Sequence, residues 1–127
     1  METRKTIETS TSSVWIDDGF IRVVKRPNTN ENLQDAKEVV AAIRELTGGT
    51  KSPILVDFRN LESQDEEAKK YYAGWFSENK ESACALLVGA PGNTKIANQY
   101  MGLSMPIIPT RVFKDEKMAI EWLKQYL

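Results

Sequence analysis

The sequence predicts an α/β fold in which an N-terminal β-hairpin is followed by alternating helices and strands. An Asp-Gly pair separates two β-rich runs, and apolar residues at helical spacing alternate with short apolar strands. One of these strands is apolar at every position. Strands that alternate with helices favour a largely parallel sheet with helices packed on it. We therefore expect a mixed, mostly parallel sheet within a single domain that spans residues 1–127.

The first predicted element is the β-hairpin. Its strands are Val14–Ile16 and Phe20–Val24, and Asp18-Gly19 forms the turn because glycine tolerates positive φ. The preceding residues, Met1–Ser13, are polar and contain no apolar segment of the kind found in secretory signals. We expect residues 1–11 to fray at the end of the domain.

A helix and a buried strand are predicted next. Apolar residues recur at helical spacing over Leu33–Leu46, with Asn32 placed to cap the start and Gly48 just past the end. The short apolar run Ile54–Val56 is typical of a buried strand. The predicted helix would then connect the hairpin to the next strand of the sheet, as is typical of α/β folds.

The second half of the chain continues this alternation. Ser63 and Glu66 have the spacing of a capping box, which predicts a helix that runs through Trp75. The run Ala83–Val88 is apolar throughout and contains the single cysteine, Cys84. Such a run indicates a strand that is covered on both faces, with Cys84 as a small core residue.

Two helices and a strand complete the prediction. A helix is expected from about Asn93 to Leu103, and Arg111–Phe113 indicates a last short strand. Asp115 is placed to cap a closing helix whose apolar residues share one face.

Composition excludes several classes of function. The chain has 17 basic and 18 acidic residues, no histidine and one cysteine. A balanced charge without a basic block offers no electrostatic footprint for nucleic acid. The absence of histidine removes the commonest zinc ligand and the general base of Ser-His and Cys-His nucleophiles. We expect neither a metal site nor a cofactor.

Composition and apolar run length also predict the compartment. A lone cysteine cannot form an internal disulfide, which is typical of a protein in the reducing cytosol. The longest apolar run, Ala83–Val88, is far shorter than the ~20 residues that cross a bilayer. We therefore expect a cytoplasmic protein that is not embedded in a membrane.

Three segments carry a resemblance to a known family. They are Arg44–Gly49, Pro53–Arg59 and Pro109–Phe113, the last followed by Ala119 and Glu121–Leu123. Their order resembles the STAS domain, the fold of bacterial anti-sigma-factor antagonists, and more closely an uncharacterised, SpoIIAA-like bacterial branch of it. The resemblance spans nearly the whole chain. It implies non-enzymatic work, either docking to a partner protein or holding a small ligand at one end of the sheet.

The family's regulatory site falls at the start of the second predicted helix. STAS antagonists carry a phosphorylatable serine there, and the aligned residues in this chain are Asp65, Glu66 and Glu67. A carboxylate cannot accept a phosphoryl group, although it supplies about half of the charge of phosphoserine. The acidic cluster is therefore either a constitutive mimic of the phosphorylated state or a surface that has lost this regulation.

Plainer interpretations of the same residues remain open. Acidic residues in a first turn complement the helix dipole, and Glu66 lies four residues before Lys70, a spacing that suits an ion pair. Ser63 is a candidate phosphorylation site because it lies close by, but a role as helix cap explains it equally well.

Polar residues at the carboxyl ends of two predicted strands form a second candidate site. They are Asp57, Arg59 and Asn60 after one strand, and Gly92 and Thr94 in the turn after another. This edge is where open α/β sheets usually bind ligands, and small residues before a helix can bind an anion. The turn lacks the spacing of a Walker A loop and of G-x-G-x-x-G.

Two alternatives compete with a ligand crevice at this edge. Asp57 can cap a turn or pair with Arg59 or Lys51, which is a purely structural role. In the enzymatic alternative, which ranks lowest, Asp57 or Asp65 is a base and Arg59 an electrophilic helper.

An apolar connection between residues 101 and 109 forms the third candidate site. Its apolar members include Met101, Leu103, Met105 and Ile107, and two prolines prevent a continuous helix. Such a segment either covers the core or contacts a partner, a lipid or a second subunit. Aromatic residues in the second predicted helix offer a further contact surface for a homodimer.

The leading hypothesis is a STAS-like regulatory or protein-interaction module that lacks the usual phosphorylatable serine. Its partner would be another protein, such as a regulatory kinase or a component of a sigma-factor pathway, or a second copy of the chain. The alternative is a carrier that binds a small molecule or lipid at the carboxyl edge of the sheet.

Overall fold

The computed structural model describes residues 5–77, 82–89, 94–98 and 108–127, apart from the side chains of residues 76 and 77. The strands in this part of the chain are β1 (Thr6–Glu8), β2 (Ser12–Asp17), β3 (Phe20–Lys25), β4 (Thr29–Glu31), β5 (Ile54–Asp57), β6 (Leu61–Gln64), β7 (Cys84–Leu87) and β8 (Thr110–Phe113). The helices are α1 (Leu33–Thr47), α2 (Glu66–Ser77), α3 (94–98) and α4 (Glu116–Leu123), followed by a 3-10 turn (Lys124–Tyr126).

Six strands form one sheet in the order β1-β2-β3-β5-β7-β8. The first three strands are antiparallel, whereas β3, β5, β7 and β8 run parallel to one another. This arrangement confirms the predicted mixed, mostly parallel sheet. Strands β4 and β6 pair in parallel as a separate two-stranded unit, here called the β4–β6 ribbon, which the sequence analysis does not predict.

Helices cover both faces of the six-stranded sheet. One face packs against α1, α2 and α3, and the other packs against α4. Alternate residues of β5 divide between these layers, since Ile54 and Val56 join the first core and Leu55 joins the second. All four residues of β7 are buried as well. Burial on both faces explains why these two strands lack a polar alternation.

The β2–β3 hairpin turns through two residues with positive φ. Asp18 has φ 51° and Gly19 has φ 93°, as a type I′ turn requires, and Asp17 pairs with Phe20 at the end of the ladder. The prediction of this hairpin is confirmed.

The expectation that residues 1–11 fray is wrong for the part that the structure describes. Thr6–Glu8 forms β1 and pairs with β2 in antiparallel register. The strand is short and polar because it lies at the edge of the sheet, where both features limit pairing with other chains.

The predicted caps of α1 and α4 are present. Asn32 and Asp35 form a reciprocal capping box with two bonds of 2.9 Å, and Gly48 ends the helix at φ 60°. At α4, the Asp115 carboxylate accepts a hydrogen bond from the backbone N–H of Met118 at 2.9 Å.

The predicted cap of α2 is wrong. Asp65, and not Ser63, caps this helix, because its carboxylate accepts a hydrogen bond from the backbone N–H of Ala68 at 2.8 Å. Ser63 lies in β6 and donates a hydrogen bond to the side chain of Asn30 in β4. Pairing within the β4–β6 ribbon keeps the chain extended through Gln64 and moves the helix start toward the C-terminus.

The helix expected over about Asn93–Leu103 is seen in part. Residues 94–98 are helical, with Ile96 and Ala97 buried against the first core. The remainder of the expected helix lies outside the described residues.

Candidate functional site

Asp57 and Arg59 interact directly at the carboxyl end of β5. The Asp57 carboxylate accepts hydrogen bonds from the Arg59 backbone N–H at 2.9 Å and from its Nη2 at 2.7 Å. The Asp57 side chain is almost fully buried, whereas that of Arg59 is 45% exposed. Because Arg59 occupies both carboxylate oxygens, Asp57 stabilises the turn that follows β5.

Glu116, the first residue of α4, links this pair to a second arginine. Its Oε1 accepts bonds of 3.2 Å from Arg59 Nη2 and from Arg22 Nη2. Hydrogen bonding to Asp57 is the largest interaction that raises the pKa of the Arg59 guanidinium, and attraction to Glu116 adds to it. The charged residues at this edge therefore pair mainly with one another and connect α4 to β3 and β5.

The structure brings together only part of the predicted polar crevice. Asn60 is exposed in the turn after β5, and Thr94 is half-buried at the start of α3. Gly89 packs against Arg59, since a Cβ at Gly89 would lie 3.2 Å from the Cγ of that arginine. Gly92 lies outside the described residues.

The predicted apolar contact segment also lies outside the described residues. This applies to Met101, Leu103, Met105 and Ile107. The next residue of that connection, Ile108, is 5% exposed and packs against the first core.

The acidic residues at the start of α2 lie on the surface. Asp65, Glu66 and Glu67 are exposed, and so is Glu62 of the adjacent β6. We call these four residues the α2 acidic patch. The ion pair expected between Glu66 and Lys70 is not among the ion pairs of the described residues. The carboxylate of Glu66 is therefore left to solvent.

Beneath this surface lies a buried ion pair that the sequence analysis misses. Lys25 and Glu31 are each 1% exposed, and Lys25 Nζ lies 2.9 Å from Glu31 Oε2. Lys25 Nζ also donates to the Tyr72 hydroxyl at 3.0 Å. One signal in the sequence points to this pair. Strand alternation places Lys25 on the same face as Ile21 and Val23, where a charged side chain needs a partner.

Three further groups hold the Glu31 carboxylate. Its Oε2 accepts from the Tyr72 hydroxyl at 2.9 Å and from Thr11 Oγ1 at 2.7 Å. Its Oε1 accepts from Gln64 Nε2 at 2.9 Å. We call these five residues, Lys25 included, the Glu31 network. It joins β3, the β4–β6 ribbon, α2 and Thr11, the residue before β2, through side chains that are all buried.

Burial and charge act against each other in this network. Burial lowers the pKa of Lys25, and the attraction of Glu31 opposes that effect only in part. For Glu31, burial favours the neutral acid, but Lys25 and the hydrogen-bond donors outweigh it and lower the pKa. Burial and the adjacent negative charge of Glu31 raise the pKa of Tyr72 well above its ordinary 10.0.

The raised pKa of Tyr72 predicts a loss of stability in alkali. A raised folded-state pKa gives a contribution that is complete below the unfolded pKa of 10.0 and is lost as pH rises through the folded value. Tyr72→Phe should therefore flatten the decline in the free energy of unfolding above pH 10.0, measured by urea denaturation. Tyr126→Phe, at the half-buried C-terminal turn, is the control. Equal alkaline slopes for wild type and Tyr72→Phe would contradict this account.

A small cavity adjoins the Glu31 network. Lys25, Gln64, Tyr72 and Trp75 line it together with apolar residues of β3, β5, β7 and α1, and its volume is about 20 Å³. Such a volume admits about one water molecule. It is far below the ~300 Å³ at which pockets for drug-sized ligands begin.

Neither a membrane span nor a metal cluster appears in the part of the chain that the structure describes. No helix there combines the length and apolar character of a membrane span. Cysteine and acidic side chains in the same residues form no group of three or more that could hold a metal ion.

The fold is similar to that of a solved protein. The crystal structure of an uncharacterised DUF3478-family protein with a SpoIIAA-like fold, from Shewanella loihica PV-4, matches with a TM-score of 0.55 at 15% identity. The match covers 95% of this chain and 92% of that chain. It confirms the SpoIIAA-like fold predicted from the sequence.

A family model and a second solved structure also match the chain. The model of a family described as "Domain of unknown function (DUF7793)" matches residues 14–127. A protein of unknown function from Arthrobacter sp. FB24 is 24% identical, with a TM-score of 0.34 and coverage of 84% of this chain and 93% of that chain. No curated protein matches the sequence.

Proposed function

The chain belongs to the DUF7793 family of domains of unknown function and has a SpoIIAA-like fold, and we propose that it is a non-enzymatic STAS-like module that binds another protein. The α2 acidic patch is the binding surface in this proposal. It lies at the end of the domain where STAS antagonists, by resemblance, carry their regulatory serine.

The observation that carries the proposal is the way in which this exposed patch is anchored. The backbone N–H of Asp65 donates to the Glu31 carbonyl at 2.9 Å, and Gln64, one residue earlier, is bonded to the Glu31 side chain. The start of α2 is thus held from below by the Glu31 network, while the carboxylates of the patch face solvent. Side chains on such a fixed frame lose less entropy when a partner binds.

The ion pair itself supports a positioning role. A buried Lys–Glu pair is often no more stabilising than apolar residues of the same volume, because both charges lose their hydration. Its specific gain here is geometric, since five side chains fix the β4–β6 ribbon against β3 and α2. We assign the Glu31 network the task of holding the binding surface in one conformation.

Charge is the second element of the proposal. Glu66 and Glu67 occupy the positions at which the resembling family has serines, and both are exposed without a described ion-pair partner. Each supplies about half the charge of a phosphoserine. In this proposal the pair presents a permanent equivalent of the phosphorylated surface to a basic patch on the partner.

Two rival functions receive less support. As a catalytic base, Asp57 would need a free oxygen, and Arg59 occupies both. A carrier of the kind expected at the carboxyl edge of the sheet would need an enclosed pocket of ligand size, whereas the cavity beside the Glu31 network has a volume of about 20 Å³.

Charge removal at the patch gives a direct prediction. Glu66→Ser combined with Glu67→Ser should weaken binding of the physiological partner by at least about tenfold, or about 1.4 kcal/mol. Titration calorimetry with the purified partner measures the effect. The control is Glu45→Ser with Glu121→Ser, which removes two exposed helical glutamates from other helices. Equal losses for both variants would reduce the patch to general surface charge.

Native mass spectrometry of the protein, isolated from its own host at low salt, should identify the partner. A complex with a second polypeptide supplies the partner for the titration. A small-molecule mass that disappears on denaturation, without any second polypeptide, would instead favour the carrier.

A further inference from the structure

A groove between α1 and α2 combines features that the proposed function does not use. Arg44 of α1 lines it together with Lys70, Tyr71, Gly74 and Trp75 of α2, and its volume is about 260 Å³. It is separate from the α2 acidic patch, and its lining is cationic and aromatic. From this lining we infer that the groove binds a small aromatic carboxylate, independently of the protein contact proposed above.

Two cations supply the charge recognition. The ion pairs of the described residues involve Lys5, Arg22, Lys25, Arg26, Arg59 and Lys124, and they leave Arg44 and Lys70 without an acidic partner in that part of the chain. Arginine binds a carboxylate through two parallel N–H bonds, and a lysine adds a point charge. An anion between the two side chains would satisfy both.

Two aromatic side chains supply a surface for the ring. Trp75 is 8% exposed and packs in the first core, so its indole is a fixed wall of the groove. The guanidinium of Arg44 lies 4.7 Å from the centre of this ring. Tyr71, one turn earlier on α2, is half-buried beside it. A flat ring on Tyr71, beside this Arg44–Trp75 stack, would place its carboxylate near Arg44.

Gly74 of α2 independently supports a ligand site in the groove. It lies inside α2, where glycine destabilises a helix relative to alanine. Its φ is not positive, and no atom of the described residues lies within 4 Å of the position that its Cβ would take, so neither backbone conformation nor crowding in that part of the chain requires glycine. The packing of the described residues therefore gives no reason for glycine at this position. A methyl group there would project into the groove, so the glycine keeps space for a ligand.

The size of the groove limits the ligand. Pockets for drug-sized molecules begin at ~300 Å³, so a groove of about 260 Å³ accommodates one or two fused rings. Naphthalene-2-carboxylate is a suitable probe, and naphthalene-2-carboxamide is its uncharged counterpart.

The test is an NMR titration of the ¹⁵N-labelled protein with both probes. The carboxylate should shift the Trp75 indole and Gly74 amide signals, and the carboxamide should bind at least about tenfold more weakly. Arg44→Gln with Lys70→Gln should weaken carboxylate binding at least about tenfold, whereas Lys37→Gln, an exposed α1 lysine, should not. Equal binding of the two probes, or shifts confined to other residues, would overturn the inference.

Gly74→Ala separates the site from the fold. Because alanine favours the helix, this variant should raise the Tm, and because its methyl group fills the groove, it should weaken binding of the carboxylate at least about tenfold. A more stable protein that binds the probe as tightly as wild type would refute the site. These outcomes do not depend on the α2 acidic patch, so they leave the proposed protein contact to its own test.

Discussion

Removal of either charge of the buried Lys25–Glu31 pair is expected to destabilise the protein by about 3–5 kcal/mol. Lys25→Met leaves a buried carboxylate with neutral donors only, and Glu31→Gln leaves a buried ammonium with neutral acceptors only, the new amide oxygen and the Tyr72 hydroxyl. The full penalty for an uncompensated charge then falls on the folded state. Urea denaturation of each variant at neutral pH measures this loss.

The double variant makes the prediction specific to the pair. Lys25→Met with Glu31→Gln removes both charges, and the new amide can still accept from Tyr72 and Thr11. We expect most of the lost stability to return, with a coupling energy of at least about 2 kcal/mol.

The exposed pair Lys5–Glu45 is the matched control. Its side chains are 65% and 61% exposed, so the same cycle there should give a coupling below about 1 kcal/mol. Additive losses in the Lys25–Glu31 cycle would show that the two side chains do not interact as a buried ion pair.

The substitution Asp57→Ala is expected to have the second large effect, a loss of about 2 kcal/mol in the free energy of unfolding. The carboxylate accepts charge-assisted bonds from Arg59 and also caps the turn after β5, and bonds of this type contribute about 1.5–3 kcal/mol each. The half-exposed Arg59 returns to solvent and to Glu116, which limits the cost.

Glu116→Ala is the comparison for Asp57→Ala, since its side chain is 40% exposed and its removal should cost less than about 1 kcal/mol. Thermal and urea denaturation rank the two variants. If Asp57→Ala retains the stability of wild type, the carboxylate has no structural role and the ligand crevice becomes the better interpretation of Asp57.

Local sequence signals predict most of the main sheet. Residues close together in the sequence determine the local structure of the Asp18-Gly19 turn, of the helix start at Asn32 and of the apolar strand Cys84–Leu87. For this reason the hairpin, α1 and β7 follow from the sequence, and so does the parallel arrangement that the alternation imposes.

The β4–β6 ribbon could not be predicted in the same way. Its strands, Thr29–Glu31 and Leu61–Gln64, are short and polar, and among the strands that the structure describes they pair with each other and not with the main sheet. Their stability depends on contacts between distant parts of the chain, such as the bond from Gln64 to Glu31. The capping-box spacing of Ser63 and Glu66 is therefore misleading, because the ribbon overrides this local signal.

The candidate sites also differ in whether local sequence or contacts between distant residues determine them. Exposure of Glu66 and Glu67 follows from charge alone, and the pairing of Asp57 with Arg59 follows from their proximity in sequence. The Glu31 network and the groove around Gly74 each join side chains from elements far apart in the chain. Only the inward position of Lys25 hints at the network beforehand.

The ribbon's separation from the six-stranded sheet has a consequence for local unfolding. Its strands share no ladder with the main sheet, so the ribbon can open without breaking the hydrogen bonds of β3, β5 and β7. Such a unit opens as a sub-global step that needs less free energy than complete unfolding. In amide hydrogen exchange, β4 and β6 would then form a cooperative unit of their own, and the Glu31 network would set the free energy of its opening.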